Sequence, residues 1–284
     1  MNAVAPTAAH LSPAADRYLD RPEGRAAYTD AGSGPLVVMI PSLGDVKEEY
    51  RFLARQLAAA GYRAVTADLR GLGNSSAGWS DYTCAALGGD IVALVRHLNA
   101  GPATVIGTSM GAGAAAWAAA EAPTDIAKLV LIGPFVRDVP LGPWWKEMAI
   151  KAMLRVAFAA PWAVAAWGAY YRSLYPTAKP ADFDAYLAGL KANLAEPGRM
   201  AATRAMMNAS KADVAGRLAD VRARALVVMG SKDPDFPDAA AEAATVAKLV
   251  RGRVAMIEGA GHYPHAEMPE VTAPAILDFL AAAA

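Results

Sequence analysis

A single cysteine, Cys84, is all the thiol chemistry that the 284 residues contain. An internal disulfide needs two, and a zinc or iron–sulfur site needs spaced companions, so neither is expected and Cys84 reads as a small buried hydrophobe. Excess charge of either sign is also missing, since 27 Lys and Arg balance 27 Asp and Glu. Without a basic stripe the chain has no footprint for a phosphate backbone, and nucleic acid is not an expected partner. No apolar run reaches the ~20 residues that span a bilayer. The most membrane-like stretch, residues 156–171, contains Pro161 and follows Lys151 and Arg155; it reads as buried or as a lid, and no stable membrane insertion is expected. The first 35 residues show no basic segment followed by an apolar core, which makes the cytoplasm the expected compartment. No internal repeat is found.

What is present is apolar: 55% of the residues are hydrophobic and 19% charged, enough for one large α/β domain or two small ones. A turn cluster, Ala31-Gly-Ser-Gly-Pro35, separates a predicted edge strand at residues 25–30 from a continuous apolar run at 36–40. Helical spacing of Tyr50, Leu53, Leu57 and Ala60 stops at Gly61, and residues 64–67 form the next strand. The alternation continues with a helix near 90–98, a strand at 104–106, a helix at 111–121 and a strand at 129–132. That order predicts a mostly parallel sheet with helices on both faces. From about residue 135 to 213 the chain turns helical and aromatic. The rhythm then resumes with a strand at 225–229, a helix at 239–249, a strand at 254–257 and a helix at 271–280. One core domain, residues 1–134 and 214–284, is thus expected to be interrupted by a helical cap at 135–213.

The chemistry centres on Gly107-Thr108-Ser109-Met110-Gly111. Directly after a strand and before a helix, two glycines flank the kind of sharp turn that lifts a serine hydroxyl above a sheet. The same turn leaves the Met110 N–H at a helix N-terminus, where it can stabilise an anionic oxygen. Serine needs a base, and the chain has only His10, His97, His262 and His265. His10 lies near the terminus and His97 on an amphipathic helix, whereas His262 follows the last predicted strand, at the same sheet edge as Ser109. Its flanking glycines favour it over His265. A metal cluster of His262, His265 and Glu267 is disfavoured because the spacing crosses Pro264 and no fourth ligand is evident. The orienting acid is expected from the loop after residue 229: Asp233 first, then Asp235, with Asp138 more remote.

The order Ser109, Asp233, His262 resembles that of the α/β-hydrolase family, and the likeness covers nearly the whole chain outside the cap. It includes Asp68-Leu-Arg-Gly71-Leu-Gly73-Asn-Ser75 and the loop Gly261-His262-Tyr-Pro-His-Ala-Glu267-Met-Pro269. One departure stands out: where most relatives read His-Gly, this chain has Pro41-Ser42-Leu43-Gly44. By position, Leu43 is then implied as the second oxyanion N–H beside Met110.

The resemblance implies an enzyme. Members that attack with a carboxylate form an ester that water can cleave, whereas an alkylated serine would be a dead-end ether, so Ser109 argues for acyl transfer. The expected function is hydrolysis of carboxylic esters with small to medium apolar acyl groups, through an acyl-enzyme and without cofactor or metal. Carbon–carbon hydrolysis, perhydrolysis, thioester or lactone cleavage and acyl transfer are alternatives on the same triad, as is a slowly turning over ligand-binding role. Phe135, Trp144 and Trp145, early in the insertion, are the expected acyl wall, with Trp162 and Trp167 as a second possibility.

Overall fold

The computed structural model describes residues 15–138, 142–159 and 161–282; His10 lies outside them. Eight strands form one sheet: β1 (Arg17–Arg21), β2 (Gly24–Ala31), β3 (Leu36–Ile40), β4 (Arg63–Ala67), β5 (Ala103–Thr108), β6 (Ile126–Ile132), β7 (Arg224–Gly230) and β8 (Arg253–Ile257). Their spatial order is β1-β2-β4-β3-β5-β6-β7-β8. The first two pairings, β1 with β2 and β2 with β4, are antiparallel, and all later ones are parallel. From β3 the chain first goes outward to β4 and then crosses to β5 on the other side. The carboxyl ends of β3 and β5 therefore flank the point where the strand order reverses, the place open α/β sheets reserve for ligands.

All five residues of β3 are buried, as expected of a strand covered on both faces. Val38 and Ile40 pack into one layer with α2 (Cys84–Leu98) and α3 (Met110–Glu121). Val37 and Met39 pack into the other, with α1 (Arg51–Ala59) and α11 (Pro269–Ala281). The predicted helix near 90–98 starts earlier, at Cys84, where the Thr83 hydroxyl accepts the Ala86 N–H at 3.2 Å. Gly88 and Gly89 lower helix propensity and hid that first turn. Gly88 lies so close to α3 that a Cβ there would sit 2.5 Å from the Trp117 ring. Cys84 is buried, with Sγ 3.8 Å from Met110 Sδ, and burial pushes its thiol up to about 12.

Between β6 and β7 lie α4 (Trp144–Ala157), α5 (Ala163–Ser173), α6 (Phe183–Ala195), α7 (Arg199–Asn208) and the short α8 (Ala212–Ala215). The membrane-like stretch at 156–171 is broken by the turn between α4 and α5, and no helix among the described residues is long and apolar enough to cross a membrane. After β7 come α9 (Ala239–Leu249), then β8, the one-turn α10 (Pro264–Glu267) and α11.

Candidate active site

Ser109 occupies the turn between β5 and α3 with φ +55° and ψ −117°, a left-handed backbone that a residue with a Cβ adopts only under constraint. Close backbone packing supplies that constraint on both sides. A Cβ on Gly107 would lie 2.3 Å from the Gly111 carbonyl oxygen, and one on Gly111 would lie 2.3 Å from that of Pro41 and 2.5 Å from that of Ile40. Backbone oxygens cannot rotate aside, so both positions require glycine. The Ser109 N–H donates to Ile132 O at 2.9 Å, and its carbonyl accepts from Ala112, Gly113 and Phe135. Met110 opens α3, so its N–H has no acceptor within the helix and sits at the positive end of the dipole.

His262 comes from the loop between β8 and α10, and its own N–H donates to Leu174 O at 3.0 Å. Gly261 permits this approach, because a Cβ there would lie 2.2 Å from the same oxygen. The imidazole Nδ1 is 2.7 Å from Asp233 Oδ2 and 3.7 Å from Asp235 Oδ2. Gly133, at the end of β6, makes room for the pair: its Cβ would meet the imidazole Cε1 at 2.9 Å and Asp233 Oδ2 at 3.2 Å. Burial disfavours the imidazolium, but Asp233, Asp235 and, farther off, Glu49 outweigh it and push the pKa from 6.5 up to about 9. Burial likewise raises the Asp235 carboxyl, against the pull of His262.

The loop after β3, where the family's usual His-Gly is replaced, runs beside the Ser109 turn because β3 and β5 are neighbours, with Ile40 opposite Gly107. Its support comes from residues the sequence did not flag. The Ser42 N–H donates to Glu49 Oε2 at 2.7 Å, and the Ser42 hydroxyl lies 2.5 Å from the Tyr263 hydroxyl. Trp167 packs so tightly on Gly44 that a Cβ there would meet its ring at 2.3 Å. Asp45, fully buried, accepts the Tyr171 hydroxyl at 2.8 Å and the Tyr186 hydroxyl on its other oxygen. Burial, reinforced by Glu49, pushes its carboxyl up to about 8. The half-buried Leu43 lies inside this loop. Behind it, Asp68 of the second family-like loop accepts the Lys47 N–H at 2.7 Å and pairs with the Lys47 ammonium at 3.1 Å.

Of the sequence candidates, Ser109, Met110, Leu43, Asp233 and His262 thus converge at one sheet edge. Phe135 joins them: its N–H bonds to Ser109 O at 3.3 Å, and its ring lies 4.8 Å from Phe236 and 6.1 Å from the His262 ring. Trp144 and Trp145 do not: they are 73% and 60% exposed. They occupy the first turn of α4, whose Leu154, farther along, packs against the core. Trp162 is also exposed, whereas Trp167 is buried, against Phe158 and Tyr170. His265 Nε2 lies 3.1 Å from Glu49 Oε1 and its ring stacks on Tyr50, and His97 is exposed on α2. Glu267 spends its oxygens on the N–H groups of Thr177, Ala178 and Gly261, so it does not converge with the two histidines. Asp233, Asp235 and His262 do offer atoms within 4.8 Å of one another, but the nitrogen nearest the acids is already engaged by Asp233.

Two clues to the missed residues were available. Asp45 directly follows the atypical loop motif, and Tyr263 directly follows His262. Glu49, Tyr170, Tyr171 and Tyr186 carried no local signal, since their role depends on how α1, α5 and α6 pack.

A strand-to-helix serine turn, with a histidine–aspartate pair delivered from two later loops of a parallel sheet, is the arrangement of an α/β hydrolase. The family model for the α/β hydrolase fold matches residues 35–269, and the chain belongs to that family. Among relatives, an uncharacterised protein of Mycobacterium tuberculosis is 26% identical over 86% of this chain and 75% of its own length. A 2-(acetamidomethylene)succinate hydrolase of Mesorhizobium japonicum is 27% identical over 88% of this chain and 90% of its own. The solved structure of an E-2-(acetamidomethylene)succinate hydrolase superposes with TM-score 0.75 and 25% identity, covering 94% of this chain and 99% of that one.

Proposed function

We propose that this α/β hydrolase is a serine enzyme that cleaves carboxylic esters of small to medium apolar acyl groups. The observation that carries the reading is the strained, backbone-locked turn of Ser109 (φ +55°) at the same sheet edge as an imidazole bonded to a buried carboxylate at 2.7 Å. In this reading Ser109 Oγ attacks the ester carbonyl carbon while its proton passes to His262 Nε2, and the carbonyl oxygen takes up the negative charge between the Met110 and Leu43 N–H groups. Asp233 holds Nδ1–H and stabilises the imidazolium. Collapse breaks the carbonyl–oxygen bond, with the His262 proton leaving on the alcohol. Water then attacks the acyl-enzyme with His262 again as base and frees the acid and Ser109. No cofactor takes part. In this reading Phe135 and Phe236, with Trp167 and Tyr170 of α5, line the acyl side, and the helices between β6 and β7 serve as the cap.

A fluorophosphonate probe is expected to label Ser109, and Ser109→Ala is expected to lower ester hydrolysis by at least ~10³-fold while leaving the protein folded. Near-normal turnover by that variant overturns the assignment. A second reading, cleavage of another acyl or carbon–carbon bond by the same triad, is favoured by the near-full-length likeness to a 2-(acetamidomethylene)succinate hydrolase. A panel of simple esters, lactones and acetamido-substituted acids separates the two.

A further inference from the structure

The loop after β7 carries two acids at the imidazole. Asp233 Oδ2 holds Nδ1 at 2.7 Å, and Asp235 Oδ2 stands 3.7 Å from the same nitrogen, only about an ångström beyond a hydrogen bond. Both belong to one tight turn, since the Asp235 N–H donates to Asp233 Oδ1 at 3.0 Å. What occupies Asp235 instead is a residue of the segment between β6 and β7. The Tyr170 hydroxyl lies 2.9 Å from Oδ1 and 2.7 Å from Oδ2, so its single proton is shared across the carboxylate. Asp235 is partly buried, and a buried carboxylate without a donor is costly. Remove the tyrosine hydroxyl, and the nearest remaining donor is His262.

We propose that Asp235 is a reserve acid for His262 and that Tyr170 is the positioning residue that keeps it off the imidazole, so that the seating of α5 determines which carboxylate orients the histidine. The inference rests on the serine-hydrolase reading above. Helix α5 is well placed for this role, because consecutive residues bond to opposite sides of the site. Tyr170 holds Asp235, Tyr171 holds Asp45 at 2.8 Å, and Trp167, a turn earlier, lies on Gly44. When α5 is docked, both loops are pinned and Asp233 alone serves Nδ1. Among the described residues the charged and titratable groups around the imidazole are Asp233, Asp235 and Glu49, with Tyr263, its ring 5.2 Å away, and Tyr170 acting through Asp235.

The test removes the first acid and asks who replaces it. Hydrolysis of p-nitrophenyl acetate is measured for Asp233→Ala, Asp233→Ala/Asp235→Ala and Asp233→Ala/Tyr170→Phe. The Asp233→Ala variant is expected to keep a residual rate that drops at least ten-fold further when Asp235 is also removed. Tyr170→Phe is expected to raise the rate of Asp233→Ala several-fold, because it frees the reserve acid. Equal rates for the first two variants, or a Tyr170→Phe change that lowers the Asp233→Ala rate, overturn the proposal. A second measurement needs no turnover. In the Ser109→Ala background, the His262 ring is titrated by NMR with and without the same substitutions. The reserve acid is supported if the imidazole of Asp233→Ala titrates at least one pH unit above that of Asp233→Ala/Asp235→Ala, and refuted if the two coincide. Failure of fluorophosphonate labelling would sink the serine-hydrolase reading while leaving this titration free to decide whether Asp235 pairs with His262.

Discussion

Proton uptake by His262 offers a quantitative test of the site. In the proposed reaction the imidazole must be neutral to accept the Ser109 proton, yet Asp233 and Asp235 push its pKa up to about 9. The neutral fraction is then only about 1% at pH 7 and about half at pH 9, so kcat/KM should climb roughly 50-fold between those values. An imidazole at its ordinary ~6.5 would be about three-quarters neutral at pH 7 and would gain less than two-fold. The assay is kcat/KM for a butyrate ester in a pH-stat, corrected for alkaline background hydrolysis. A plateau reached by pH 7.5 would refute the claim that the two carboxylates outweigh burial. Stability should run the other way. Because the folded-state pKa lies above the unfolded one, the charged imidazole stabilises the fold fully below about pH 6.5, and that contribution is lost as pH rises through about 9. The form that stabilises is the form that cannot act as base.

Asp45 adds a second alkaline liability: its folded pKa of about 8 exceeds the unfolded ~3.9, so its contribution falls as pH rises from about 4 to 8. Asp45→Asn should flatten the decline of Tm over that range, and an unchanged slope would count against a buried neutral acid. Gly111→Ala should lower Tm and abolish most activity, because its methyl would meet the Pro41 and Ile40 carbonyls, an overpacking cost of about 1–3 kcal/mol or more; a fully active, equally stable variant would contradict the turn geometry. Phe135→Ala should cost a hexanoyl ester more kcat/KM than an acetyl ester, at about 0.8 kcal/mol per methylene no longer covered. Trp144→Ala should leave both esters unchanged, and a chain-length-dependent loss would show that the exposed first turn of α4 reaches the substrate.

Most of the sheet was legible because β3, β5, β6 and β7 are short apolar runs bounded by turn residues, and their order leaves little topological choice. The Ser109 turn could be read for a similar reason: two glycines around a serine, between strand and helix, answer a local steric demand. The antiparallel β1 escaped notice, since Arg17–Arg21 is largely polar and exposed and is a strand only because β2 pairs with it. The exposure of Trp144 and Trp145 is hidden from the sequence for the converse reason. Aromatic residues near the start of an insertion say nothing about which way its first helix points, and here α4 packs on the core through Leu154 while its first turn stays exposed. The tyrosine and carboxylate contacts of α5 and α6 belong to tertiary packing and leave no periodic trace.

The glycine at 111 also has a consequence for how substrate range can change in this protein. It allows the first turn of α3 to rest directly on the Ile40 and Pro41 carbonyls at the end of β3, so the segment leading to residue 43 and the turn carrying residue 110, 67 positions apart in the chain, meet main chain to main chain. A gap set by side chains drifts whenever one of them is exchanged; a gap set by backbone has no such adjustment. In the proposed reaction the receptacle for the developing oxyanion is therefore fixed where α3 meets the end of β3, and variation is freer at Phe135 and Phe236, which bear on what is brought to that oxygen, than at Trp167 and Tyr171, whose side chains also hold the Leu43 loop.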